Sequence, residues 1–461
     1  MITLQETIQA PRPIGDCFRY LADISTSEQW DPGVYRAVKR TPGTPAVGTE
    51  FDLVLNSAGR RVPMRYRLVR VESPYRIELH GEGDGFIVND VIRLRALGRD
   101  RTEICYQAEL QFDGAMGHVE RALHPFMVRM GKRALAGLQR ALTPDTDIAP
   151  PSFGERLRYA TLFPAAAQFT ERGYLAMANK GLSDDMEGKR VVITGATAGL
   201  GLGAACELSR LGADMVLVGR DSLKLARAAR TVREFSGLDS ERVMTLEAEL
   251  SLSSEVRRVA QELARQCPRI DVLINNAGAL FNEYGETAEG HERALAINLL
   301  CPWLLTQELM PVLLANHARV INVASGGMYL QPLHPEDMQF RNEPYDGAKA
   351  YARAKRALVA VTEHWAASHP QMHFSSMHPG WAATPGVAKS LPAFNQRLQR
   401  WLRDARMGAD TMVWLASSGA PLAHSGKFWF DRRPRPTAVL PGTAVTPQQR
   451  QPLLDWLEAQ S

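Results

Sequence analysis

The run Thr194-Gly195-Ala196-Thr197-Ala198-Gly199-Leu200-Gly201 packs three glycines into eight residues. Such a turn lets the backbone come close to a pyrophosphate, and a helix starting there aims its positive end at the phosphates. The run follows Arg190–Thr194 (RVVIT), a β-branched strand candidate suited to burial on both faces, and precedes a helical stretch through Leu211. A glycine run is a weak signal by itself; its place between a strand and a helix strengthens it. The next strand, Met215–Val218, ends in Gly219-Arg220-Asp221. A carboxylate at such a strand end would take the ribose hydroxyls of NAD, whereas Arg220 can pair with the 2′-phosphate of NADP. The reading is a nicotinamide dinucleotide site that prefers NADP(H). NAD(H) is the alternative if Arg220 is only a solvated cation, and Ala198 supplies no second cation. Further on, residues 271–278 (DVLINNAG) join a buried strand to Asn275, Asn276, Ala277 and Gly278.

Together TGATAGLG and NNAG resemble the short-chain dehydrogenase/reductase family over about residues 185–440. The resemblance implies an α/β fold, a Rossmann-type doubly wound parallel sheet. It implies that Thr194, Gly195, Gly199, Leu200 and Gly201 hold the cofactor phosphates. Asn276, Ala277 and Gly278 would border its adenosine side, with Asn275 and Asn276 also bracing the central strand. Glu249 stands where the family generally has Asp near the adenine, a longer acid that would shift the ring. Pro379, Gly380 and Thr384 would border the nicotinamide amide. The family's Asn-Ser-Tyr-Lys tetrad falls on Asn298, Ser325, Tyr351 and Lys355. The Tyr-x-x-x-Lys spacing occurs twice, at Tyr345/Lys349 and at Tyr351/Lys355, and either would put both side chains on one helix face. Gly347 and Pro344 make the first a poor helix, and the second lies in the continuous helical pattern AYARAKRALVAVTEHWA.

In that tetrad Tyr351 would act as general acid for reduction or base for oxidation. A free tyrosine has a pKa of about 10, and Lys355 with the oxidised nicotinamide would lower it by favouring phenolate. Ser325 would hydrogen-bond the substrate oxygen, Lys355 would also hold the nicotinamide ribose, and Asn298 would anchor a water relay. Residues 328–344 form an unusually long stretch between Ser325 and Tyr351 and read as an inserted loop near the site. Finer runs, FTERGY at 169–174 and GKFWFDRRPRP at 426–436, resemble one branch of the family whose substrate is poorly defined.

These motifs begin only at Thr194, so other elements must fill the first two fifths of the chain. Thr102–Phe112 alternates strictly, with Ile104, Tyr106, Ala108, Leu110 and Phe112 on one face. Met64, Tyr66 and Leu68 alternate likewise, as do Ile77 and Leu79, with Pro74, Gly81, Gly83, Gly85 and Gly98 as punctuation. Pro13–Glu28 reads as helical, and Val119, Leu123, Phe126, Met127, Met130, Leu138 and Leu142 recur at helical spacing, with Pro125 as a possible kink. The order is strand, helix, about six strands, long helix. With Trp30–Val34 (WDPGV) it resembles the helix-grip fold, α+β, of the polyketide cyclase and START-like superfamily. That likeness implies a curved sheet around the long helix and often an apolar cavity; the Met-rich face reads as core or as a ligand cradle. No acid/base pair is read in residues 1–145. The division is a helix-grip domain at 1–145, a linker and apolar helical arm at 146–187, and the reductase domain at 188–461. The arm, with Leu157, Leu162, Phe163, Phe169, Tyr174, Leu175 and Met177, reads as packed on the next domain, as a flap, or as a membrane-surface helix.

Lys and Arg number 54 against 50 Asp and Glu, a net charge of +4, which gives no sign of a nucleic-acid binder. Five scattered cysteines and no C-x-x-C argue against a disulfide framework or zinc site, so no metal is expected and the cytoplasm fits best. No 18-residue apolar run suggests a transmembrane segment, though peripheral membrane contact and a homo-oligomer stay open. The expected protein is an NADP(H)-dependent oxidoreductase acting on a carbonyl or secondary alcohol of a bulky apolar substrate. Its N-terminal domain would bind a hydrophobic ligand. The alternative is a lipid-binding or transfer protein with a cofactor-sensing reductase scaffold.

Overall fold

The computed structural model describes residues 2–57, 60–112, 120–143, 167–175, 177 and 184–460. The chain divides into two compact units, one within residues 1–146 and one comprising 167–177 and 184–460. Val119, Leu157, Leu162, Phe163 and Pro164, and the side chains of Leu123 and Phe126, lie outside the described residues.

The first unit is a seven-stranded antiparallel sheet. Its strands are β1 (Ile2–Ala10), β2 (Val34–Lys39), β3 (Glu50–Ser57), β4 (Arg60–Glu72), β5 (Arg76–Gly83), β6 (Phe86–Gly98) and β7 (Arg101–Phe112), in the order β1-β7-β6-β5-β4-β3-β2. The pleat sends alternate residues inward. Leu68 of β4, Ile77 of β5, Ile92 of β6 and Ile104 of β7 are fully buried beside Leu138 and Leu142 of the helix Glu120–Leu142. At Gly137 a Cβ would collide with the carbonyl of Trp30, so glycine lets this helix sit against the turn Ser27–Trp30. Outward residues form charge ladders such as Arg95–Glu103 at 2.7 Å and Arg67–Glu50 at 2.7 Å. These exposed pairs favour solubility more than stability.

The second unit is a doubly wound sheet. Its strands are β8 (Arg190–Thr194), β9 (Asp214–Gly219), β10 (Val243–Glu247), β11 (Val272–Asn275), β12 (Arg319–Val323), β13 (His373–Met377), β14 (Phe428–Phe430) and β15 (Arg433–Arg435). The order is β10-β9-β8-β11-β12-β13-β14-β15, parallel up to β14, with β15 antiparallel at the edge. The order reverses between β8 and β11, and such a switch point leaves a crevice at the strands' C-terminal ends. Both faces are covered: every residue of β11 and β13 is buried, as continuous apolar or small runs in a parallel sheet require.

The segment Arg293–Ala315 is long and apolar enough to cross a membrane by composition, yet most of it is buried inside this unit. Trp303 stacks on Trp365 with ring centroids 5.4 Å apart. A helix apolar all round belongs in the core of a large domain, and this one packs there.

The described part of the arm, 167–175, runs along the second unit. The Trp381 N–H donates to the Phe169 carbonyl at 2.7 Å and the Glu171 N–H to the Trp401 carbonyl at 2.9 Å. Buried Arg403 donates to the carbonyls of Gln168 and Thr170 at 2.7 and 3.2 Å, and to both carboxylate oxygens of Asp431 at 2.6 and 2.9 Å. Asp431 and Arg432 form the two-residue link from β14 to β15, and both have positive φ, 52° and 56°. Asn and Gly usually fill such turns. Here Arg403 holds the first residue, and Asp410 accepts from Arg432 at 2.7 and 2.8 Å.

Candidate active site

The phosphate turn is built by crowding. Gly195 and Gly199 have φ of +66° and +55°. A Cβ on Gly201 would strike the Gly195 carbonyl and come within 2.6 Å of Asn276 Nδ2, so only glycine lets this helix start so near β8. Thr194 is buried and its Oγ1 accepts from the backbone N–H of Asn276 and of Ala277, both at 3.0 Å. Asn276 Nδ2 donates to the Thr194 carbonyl at 2.9 Å. Asn275, by contrast, points into the core, donating to Thr306 at 3.1 Å and Asn322 at 2.9 Å. The helix Gly199–Arg210 opens at Ala198 with no side-chain cap, which leaves its first amides for an anion. Leu200 anchors that helix against Gly408. Thr384 leans over Gly199, where a Cβ would stand 3.3 Å from it, and caps the following helix through the Val387 N–H at 3.2 Å. Beyond Pro379, Gly380 has φ of +79° and a Cβ there would meet Arg403 Nε at 2.5 Å.

Arg220 is 74% exposed at the end of β9 and reaches Glu249 at 3.5 Å. Glu249 also accepts from the Ser251 hydroxyl at 2.8 Å. The two residues therefore face each other across the sheet edge.

The tetrad assembles from three elements. Asn298 sits in a π-helical turn, Ala296–Leu300, a local widening that often marks functional positions. Its Nδ2 donates to the carbonyls of Ala279 and Ala294 at 2.7 and 2.8 Å, while its buried Oδ1 has no partner among the described residues. Tyr351 and Lys355 share one face of the helix Gly347–Ser368. Ser325 ends the segment after β12 and hydrogen-bonds Tyr351. Lys355 Nζ donates to the Val323 carbonyl at 2.7 Å and lies 5.8 Å from the Tyr351 ring centre. Gly278 lies between the groups: a Cβ on it would be 2.6 Å from Asn298 Oδ1 and 3.3 Å from Lys355 Nζ.

Burial pushes the Tyr351 phenol above its ordinary value, and the Ser325 hydrogen bond pulls it partly back. Burial also lowers Lys355 to about 7. The depression of Tyr351 expected from Lys355 with the oxidised nicotinamide is thus not a property of the chain alone: the amine has itself lost much of its affinity for a proton and is aimed at a carbonyl. Between about 7 and 10.5 the unfolded chain holds a proton on Lys355 that the folded chain lacks, so stability from this site rises with pH across that window. Below it both states are protonated and the buried charge weighs fully. Lys355→Met should therefore stabilise the protein most at pH 7 and below, the gain shrinking towards pH 10, read from melting temperatures against pH. An equal gain at both ends would refute the buried-amine assignment.

The rejected pair is placed elsewhere. The Tyr345 hydroxyl donates to Glu292 at 2.9 Å, and Lys349 faces Glu343 at 3.4 Å. Glu292 caps the helix carrying Asn298, accepting from the Ala294 and Leu295 amides at 2.8 and 2.7 Å. Sequence reasoning also missed His378. Its Nδ1 accepts from the Gly326 N–H at 3.1 Å, next to Ser325, and its ring packs on Phe169 and Phe430. Burial holds it neutral, down to about 3. The only signal was a histidine directly after a buried strand.

A crevice at a Rossmann switch point with this tetrad defines a class, and residues 189–393 match the family model described as short chain dehydrogenase. Residues 1–143 match the model described as polyketide cyclase / dehydrase and lipid transport. The chain belongs to the short-chain dehydrogenase/reductase family and is an oxidoreductase with a cyclase-type domain ahead of the catalytic one. It is 38% identical over 298 residues to Dehydrogenase/reductase SDR family member 12 of Bos taurus, covering 63% of this chain and 93% of that protein. The Homo sapiens protein of that name matches at the same identity and coverage. Retinol dehydrogenase 14 of Mus musculus is 32% identical over 265 residues, covering 53% of this chain and 78% of that protein.

Proposed function

We propose that the protein interconverts a carbonyl and a secondary alcohol on a bulky, mostly apolar molecule with NADP(H), and that its N-terminal unit holds a hydrophobic ligand. The observation that carries the reading is the convergence of the four side chains, with Ser325 at the Tyr351 hydroxyl, Lys355 beside the Tyr351 ring, and Asn298 and Lys355 meeting at Gly278. The dinucleotide fits the chain: positions 195, 201 and 278 are glycines where any Cβ would intrude on the cradle. The cofactor, when bound, supplies or accepts the hydride. The chain does the rest. Ser325 and Tyr351 hold the substrate oxygen, and Tyr351 gives up or takes the proton. Lys355 stands ready to receive a proton at neutral pH. The Oδ1 of Asn298, unpartnered among the described residues, suits a water that relays that proton outward.

Support for an apolar substrate comes from Phe169, Trp381 and Phe394, grouped beside the Pro379-Gly380 turn, and from a relative named for retinol. Five free cysteines support a reducing compartment such as the cytoplasm. Following nicotinamide absorbance with all-trans-retinal and a panel of apolar ketones tests the reading; no turnover with NADPH or NADH would count against it.

The cofactor preference rests on Arg220, whose exposed guanidinium has, among the described residues, only a long contact to Glu249 to give up. A charge-assisted bond to the 2′-phosphate implies that Arg220→Ala weakens NADPH roughly tenfold to hundredfold, with NADH changed less than about threefold. Titration of both cofactors by fluorescence checks this, and equal losses would remove the phosphate role.

A further inference from the structure

We propose that the first unit carries its own recognition site for the hydroxyl group of an otherwise apolar molecule, formed by Asp90 together with Tyr66 and Tyr106 on the inner face of the sheet. This deepens the reading that the N-terminal unit holds a hydrophobic ligand and rests on it.

The pleat of β6 sends Val88, Asp90, Ile92 and Leu94 inward, and all four are buried. A carboxylate in the middle of that column breaks the apolar rule for a core face. Asp90 is 2% exposed, yet it draws two phenols to one oxygen: Tyr66 donates to Oδ2 at 2.6 Å and Tyr106 at 2.9 Å. Its other oxygen, Oδ1, is buried and has no partner among the described residues. Tyr106 comes from the neighbouring strand β7, but Tyr66 must reach across β5 from β4. Gly81 of β5 makes that crossing possible, since a Cβ there would collide with Met64 and stand 2.8 Å from the Tyr66 ring. Three strands and one glycine are thus arranged to present a carboxylate with an acceptor oxygen to spare.

The surroundings suit an apolar body. Leu55, Phe86, Ala108 and Leu110 lie on the same inner face and stay only partly buried among the described residues. Trp30 meets the Tyr106 ring edge-on at 6.4 Å. Asp31, from the WDPGV stretch, is the other acid facing the cluster; its carboxylate accepts from the Gly33 N–H at 2.7 Å. Burial, with the charge of Asp31, raises Asp90 to about 6, so near neutral pH it is mostly a carboxylate, an acceptor that needs a donor. An alcohol or phenol on the ligand supplies one.

The test titrates the full-length protein by fluorescence at pH 7.5 with 2-naphthol and with 2-methoxynaphthalene, which has the same body and no O–H. Wild type should bind 2-naphthol at least about tenfold more tightly. Asp90→Leu should bring the two probes within about twofold without weakening 2-methoxynaphthalene, and Asp90→Asn, which keeps an acceptor but loses the charge, should fall between. If Asp90→Leu does not fold, Asp90→Asn decides: a naphthol preference equal to wild type overturns the anchor. Equal affinities in wild type overturn it as well, leaving Oδ1 to water and the apolar ligand site intact. Binding of neither probe overturns the anchor together with the reading beneath it.

Discussion

Tyr351→Phe should cut kcat by roughly 10²- to 10⁴-fold while leaving cofactor affinity within about twofold, the range for loss of a positioned proton donor. The substitution removes one oxygen, the one hydrogen-bonded to Ser325, and keeps the ring in its place along the helix Gly347–Ser368. Lys355 keeps its bond to the Val323 carbonyl, so the position from which it is proposed to hold the ribose should survive. Stopped-flow or steady-state assay of nicotinamide absorbance gives kcat, and fluorescence titration gives the cofactor Kd. Tyr345→Phe is the control, because the same Tyr-x-x-x-Lys spacing occurs there with a different job. The Tyr345 hydroxyl bonds Glu292, a helix cap, so its loss should cost about 1 kcal/mol of stability and little turnover. Retention of full activity in Tyr351→Phe would sink the tetrad assignment, whatever the control does.

Arg403→Met should destabilise the second unit by about 3–5 kcal/mol, because it removes the bidentate partner of a buried carboxylate. Arg403 is 1% exposed and binds both oxygens of Asp431. Asp431 in turn sits at positive φ in the β14–β15 turn, so the lost pair releases a residue whose backbone is already unfavourable. The same guanidinium holds the Gln168 and Thr170 carbonyls, so the arm should loosen as well. Thermal unfolding should report a fall of several degrees or more, and amide exchange should rise at residues 167–175. Adding Asp431→Asn to Arg403→Met should recover part of the loss, since it removes a buried charge that the guanidinium no longer offsets. No recovery in the double variant would mean that the carbonyl contacts, and not the ion pair, dominate.

Much of the reductase site was legible because its signals are local. Glycine spacing at 195, 199 and 201 reports a turn whose backbone must bend and close up, and that demand falls on the residues themselves. The i,i+4 spacing of Tyr351 and Lys355 needs only helical periodicity to become a shared face. Alternation along Thr102–Phe112 likewise announces an inner and an outer face of β7. The choice between two Tyr-x-x-x-Lys pairs was possible because Pro344 and Gly347 weaken the first helix turn, and Asp346 does cap the helix just there.

What stayed hidden depends on residues far apart in the chain. Asp90 read as one polar residue in a strand; its site appears only when β4, β6 and β7 bring Tyr66 and Tyr106 to it, across 24 and 16 residues. Arg403 gave no signal, since its partners at 168, 170 and 431 meet only in the fold. In the chain alone, burial holds the Tyr351 phenol up and brings Lys355 to about 7, a balance no local spacing announces. By itself, then, the sequence determined the two fold classes, the glycine turn after β8 and the shared helix face of Tyr351 and Lys355, because periodicity and glycine geometry act over a few residues. The tertiary structure alone decided which polar groups are buried, paired or left with an open acceptor. Desolvation and hydrogen bonding are set by neighbours that strand order and register bring in from elsewhere in the chain.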